Sequence, residues 1–124
     1  METCTRIAWI LLALVHVAPA AVVAVPRLTQ RLYGVAPEGE PGILIVHRGA
    51  LFLAIVALAI FAAFDSGARR AATLAVTLSV LGFLVVYGRA GFPAGALRTI
   101  ALVDVAALVP LMFVAVQAFR DQGG

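Results

Sequence analysis

The sequence predicts an all-α fold: a four-helix transmembrane bundle with up-down-up-down connectivity. Two observations carry this. Of 124 residues, 64% are hydrophobic and 12% charged, whereas a soluble domain is about half apolar and a quarter charged. The apolar residues also gather into four runs, each close to the ~20 residues that cross a hydrocarbon core of ~30 Å. The mean hydropathy of +1.10 leaves more apolar surface than a soluble core of this size could enclose. Residues 1–124 therefore read as a single integral membrane domain.

The first run covers about 7–25. Arg6 and the Ala18-Pro19-Ala20 pattern also fit a cleavable signal peptide, but the apolar run continues to Val25, which favours a span. Pro26 to Gly42 is a connector, and Pro37, Gly39, Pro41 and Gly42 are expected to break any helix there. It exceeds the two to eight residues usual between bundled helices, so it is expected to cap the bundle. The second run covers about 43–64, and Asp65-Ser66-Gly67 opens a tight turn that carries Arg69 and Arg70. The third run, about 71–87, is the shortest; Gly88 to Gly95 follows it, and the fourth run covers about 100–119. The tail at 120–124 is polar. No run shows the period-2 alternation of a barrel strand. Helices follow, because lipid offers no partners to backbone polar groups.

All nine basic residues are arginine, a usage that suits a high-GC genome, and with the four apolar runs the expected location is a bacterial inner membrane, crossed several times. The arginines are scattered between apolar runs and form no basic stripe, which argues against nucleic-acid binding. Counted by side, loop arginines tie; the compact Arg69-Arg70 pair favours cytoplasmic termini. Cys4 stands alone, so an internal disulfide and a multi-cysteine metal site are excluded. No H-x-x-H or H-E-x-x-H spacing occurs, and Arg48 beside His47 would repel a cation, so no metal is expected. With no Gly-rich phosphate loop, G-x-S-x-G or C-x-x-C, no cofactor is expected either.

Polar residues inside the runs are the main functional clue. A charge at the centre of a spanning helix costs roughly 2.5–3.5 kcal/mol on insertion scales. His47 and Arg48 lie near the start of the second run and Asp104 near the start of the fourth. Tyr87 ends the third, and Tyr33 and Arg98 belong to the flanking rim. An up-down arrangement brings these to one membrane face, with His47 and Asp104 ~6 Å below their helix starts at ~1.5 Å per residue. His16 lies deeper, on a face with Trp9, Ala13 and Ala20. Pro19 and Pro110 free the carbonyls of Val15 and Ala106, and such groups in lipid turn towards the bundle interior.

The candidate catalytic residues are Asp104, His47 and His16, an acid–base set that titrates near neutrality through its histidines. Arg48 and Arg98 are the candidate anion clamps, with Tyr33, Tyr87 and Trp9 lining the pocket. Asp104 is expected to pair with Arg48 or Arg98, or to be held neutral by desolvation. The function expected is binding of an amphipathic, lipid-like small molecule at one membrane face, with acid–base isomerisation, cyclisation or hydrolysis within reach. A structural or assembly role, in which the polar residues lock helices together, is the rival. Alanine-rich turns around Ala50, Ala54, Ala57 and Ala59 would also allow a homodimer.

The order His16-Val17-Ala18-Pro19, Leu32-Tyr33-Gly34, His47-Arg48-Gly49-Ala50-Leu51-Phe52, then Arg98 and Asp104, resembles a group of small bacterial four-helix membrane proteins. That group is broadly DoxX-like and often labelled phosphopantetheine adenylyltransferase. Adenylyltransferases of that class use a soluble α/β fold and a H-x-G-H-type motif, and this chain has neither pattern. What the resemblance implies is the four-helix membrane architecture and, by fold-level analogy, an accessory subunit with a membrane redox partner in a quinone-linked oxidoreductase.

Overall fold

A computed structural model describes residues 2–120. The expected polar tail at 121–124 lies outside the described residues, as does Met1. Among the described residues the chain is helical and contains no strand. Its elements are α1 (Glu2–Ala21), α2 (Leu28–Tyr33), α3 (Glu40–Phe64), α4 (Arg69–Arg89) and α5 (Ala96–Arg120). A 3-10 turn, Ser66–Ala68, joins α3 to α4. The four long helices are each apolar and long enough to cross a membrane, so the chain is a multi-pass membrane protein.

The helix ends differ from those the runs predict, and each shift has a local cause. α1 begins at Glu2 rather than Ile7, because an acidic first turn complements the helix dipole. It ends at Ala21 rather than Val25: Pro26 disfavours α geometry at Val25, and the chain tightens through Val23 N–H to Ala20 O and Ala24 N–H to Ala21 O. Pro41 does not break a helix. It stands in the first turn of α3, where its fixed φ is suited and its missing N–H has no helical partner to lose. The first connector also contains α2, closed by Gly34 at φ 70°, whose N–H donates to Gln30 O.

Around the bundle the order is α1, α3, α4, α5, each packed on its neighbours, with α1 against both α3 and α5. α2 packs on α5 and α3 and so covers one end of the bundle. The core is built largely from small residues, including Ala8, Ala13, Ala59, Ala62, Ala72 and Ala107, around the larger Trp9, Leu12, Val76 and Leu111. Small side chains let helix backbones approach closely where lipid provides no hydrophobic drive. The closest approach is at Gly49, where a Cβ would lie 2.5 Å from Val22 Cγ2 and 3.0 Å from Pro19 O. Gly49 is nine residues into α3, so α1 ends about 13 Å below the start of α3 at 1.5 Å per residue. By contrast, the α3–α4 seam is loosely packed, and it is open between residues 48–55 of α3 and 75–86 of α4.

The opposite end is closed by Arg69, which is only 8% exposed. Its Nε donates to Ala62 O at 2.8 Å and its Nη2 to Ala63 O at 3.1 Å, satisfying carbonyls in the last turn of α3. The same guanidinium grips both Glu2 carboxylate oxygens, at 2.6 and 3.1 Å. One side chain thus ties the starts of α1 and α4 to the end of α3. Its neighbour Arg70 is exposed and lies over Phe119.

Candidate functional site

The open α3–α4 seam forms a crevice of about 640 Å³. Leu51, Phe52 and Ile55 of α3 line one wall, and Ala75, Ser79 and Gly82 of α4 the other. The α4 residues recur at i, i+4 and i+7, which is one helical face, and their small size creates the gap. Gly82 contributes most directly: a Cβ there would meet nothing within 4 Å.

Arg48 stands at the mouth of this crevice. Its guanidinium lies 4.9 Å from the Phe52 ring centroid, 5.5 Å from Tyr33 and 5.9 Å from Phe83. Aromatic faces attract a cation through their quadrupole but take no N–H bond along its plane. Among the described residues Arg48 makes no hydrogen bond or ion pair. Its fork of donors, suited to bidentate recognition of carboxylate or phosphate, is uncommitted.

Asp104 is half-buried nearby and closes no ion pair with Arg48. Neither expected pairing, with Arg48 or with Arg98, is formed among the described residues. Arg48 and Asp104 each lie eight residues into helices that start on the same face, about 12 Å down at 1.5 Å per residue. The offset exceeds the ~6 Å counted from the apolar runs because both helices begin before those runs, at Glu40 and Ala96. Tyr33, brought over them by α2, feels both charges. Burial raises its phenol above the ordinary range; Arg48 draws it down and Asp104 pushes it up.

His16 lies deeper and is 2% exposed. Its Nδ1 is 2.8 Å from Leu12 O and its Nε2 3.2 Å from Ser79 Oγ. A carbonyl only accepts, so Nδ1 carries the proton and the neutral ring offers Nε2 as an acceptor. In that neutral form Ser79 donates to His16. The imidazole also lies 5.7 Å from the Phe52 ring, which separates it from Arg48.

The remaining candidates lie elsewhere. His47 is exposed on the outer side of α3, since successive helical residues diverge by about 100° and Arg48 takes the inward direction. Trp9 is fully enclosed in the core, seven residues from His16 towards the other end of the bundle, and its Nε1 has no partner among the described residues. Tyr87 is buried and spends its hydroxyl on Pro93 O at 2.6 Å, with Phe83 stacked on one side and Phe92 edge-on at the other. Tyr87 and the exposed Arg98 line a separate cavity of about 620 Å³ between α4 and α5. The structure thus gathers Arg48, Asp104 and Tyr33, sets His16 behind the crevice, and keeps His47, Trp9, Tyr87 and Arg98 apart from them.

Two residues of consequence are absent from the sequence-based set. Ser79 is one, and the only signal for it is the small-residue face it shares with Ala75 and Gly82. Phe52 is the other, the ring between Arg48 and His16. Among the described residues no group of three metal-ligating side chains occurs. Compared with known proteins, the chain matches no family model, no curated protein and no solved structure.

Proposed function

We propose that this membrane protein binds an amphipathic molecule with an anionic head, the head on Arg48 at one membrane face and the apolar chain in the α3–α4 crevice. The observation that carries the reading is the state of Arg48: caged by three aromatic faces, at the mouth of an apolar crevice, with its hydrogen-bonding fork uncommitted among the described residues. A half-buried guanidinium with its donors unspent is a strong receptor for a carboxylate or phosphate. Tyr33 and Asp104 beside the head can supply an acid and an orienting group, which is where acid–base chemistry on the ligand would take place.

The test is binding of a long-chain alkylphosphonate to protein in lipid nanodiscs, counted by native mass spectrometry. A hydrogen bond to a charged group contributes about 1.5–3 kcal/mol, so Arg48→Gln is expected to weaken binding roughly 10- to 150-fold. His47→Ala is expected to leave it unchanged. Wild-type affinity in folded Arg48→Gln would sink the proposal.

A further inference from the structure

We propose that Ser79 is a nucleophile that accepts the acyl group of an anionic, ester-linked lipid, with His16 as its base. The inference rests on the binding mode just described and adds a reaction to it. Three features of the geometry point to it. Ser79 lines the crevice wall and is half-buried there, while His16 stands behind it, away from the cavity. The imidazole is held in one tautomer by Leu12 O, so its free lone pair on Nε2 faces Ser79 Oγ at 3.2 Å. With its proton directed to His16, Ser79 presents only lone pairs to the crevice. A base on one side of a hydroxyl and an open apolar cavity on the other is the arrangement nucleophilic catalysis requires, with the base oriented by a third group.

The position of Arg48 selects the substrate. Phe83, one of the rings under the guanidinium, lies four residues along α4 from Ser79, about 6 Å at 1.5 Å per residue. An anionic head on Arg48 therefore sets the bonds one helical turn further along the lipid at the level of Ser79. In a glycerolipid or lysolipid with a phosphate head, the acyl ester occupies that place. The acyl chain continues past Ala75 and Ile55 into the rest of the crevice.

The reaction balances without an added cofactor. Ser79 Oγ attacks the ester carbonyl carbon as its proton moves to His16 Nε2. The bond from that carbon to the glycerol oxygen then breaks, and His16 returns the proton to the departing oxygen. The products are an acyl-serine and a lipid alcohol. Water then attacks the acyl carbon, again losing a proton to His16, and the serine oxygen leaves and takes that proton. A fatty acid is released and Ser79 is restored.

The probe is a long-chain alkyl fluorophosphonate, which forms a Ser–O–P bond and expels fluoride only at a base-activated serine. The chain has two serines, Ser66 and Ser79, so each protein carries its own control. Peptide mass spectrometry is expected to find the adduct on Ser79, none on Ser66, and none in Ser79→Ala. General-base assistance contributes typically 10²- to 10⁴-fold, so His16→Gln is expected to slow labelling at least about 100-fold. If His16→Gln does not fold, the Ser79-to-Ser66 labelling ratio in the wild type decides alone. No adduct on Ser79, or equal labelling of both serines, overturns the proposal. So does wild-type labelling in folded His16→Gln. Binding of the unreactive alkylphosphonate through Arg48, measured alongside, separates this failure from failure of the binding reading.

Discussion

Replacing Gly49 by alanine adds one methyl group where α1 and α3 come closest. The new Cβ would lie 2.5 Å from Val22 Cγ2, 3.0 Å from Pro19 O and 3.1 Å from Val23 Cγ2. Val22 is fully buried, and the Pro19 carbonyl is backbone, so neither can swing aside. Overpacking of this kind costs about 1–3 kcal/mol. Alanine also gains about 1 kcal/mol over glycine inside a helix, which offsets part of that cost. Gly82→Ala makes the same chemical change in α4, where the methyl meets nothing within 4 Å. It carries the helical gain without the clash. The difference between the two variants therefore isolates the close approach, and is expected to be about 1–3 kcal/mol. For a chain of this size that is a separation of several degrees in melting temperature, at roughly 4 °C per kcal/mol. Thermal unfolding of both variants in one detergent, followed by circular dichroism, measures it. Equal melting temperatures, or a Gly49→Ala protein more stable than Gly82→Ala, would refute the packing assigned to the α1–α3 seam.

Two further outcomes concern stability. Arg69→Met strips the last turn of α3 of two hydrogen bonds from a charged donor and is expected to cost at least about 2 kcal/mol, whereas Arg70→Ala, at an exposed site, is expected to fall within about 0.5 kcal/mol of wild type; urea or detergent titration distinguishes them. Tyr87→Phe removes the bond to Pro93 O and is expected to cost about 0.5–1.5 kcal/mol, with faster amide exchange across residues 90–95 as its local signature.

The helices were legible because hydropathy is a one-dimensional signal: a run of ~20 apolar residues has few alternatives in lipid. Their ends were not, because the polar turns that extend α3 back to Glu40 and α5 back to Ala96 carry no hydropathy. The separation of His47 from Arg48 was available in principle, since adjacent helical residues cannot face the same neighbour. Which of the two turns inward depends on Tyr33, Phe52 and Phe83, which come from three different helices. The contrast between Arg69 and Arg70 is of the same kind. A basic pair in a short loop reads as two surface charges until Glu2, 67 residues away in the chain, comes within reach of one of them. Ser79 was hidden for a related reason: a lone serine in an apolar run looks like any small residue, and its partner His16 lies 63 positions earlier.

The gap along α3 and α4 opens sideways, past exposed Leu51, Leu78 and Val86. A guest would reach it by diffusing within a leaflet, without passing through water. Its effective concentration is then a mole fraction of the surrounding lipid, and the tail gains little by leaving one hydrocarbon setting for another. Discrimination among guests would then fall to the polar atoms at the rim. Titrations should be scaled to the lipid-to-protein ratio, because dilution with buffer leaves that quantity unchanged.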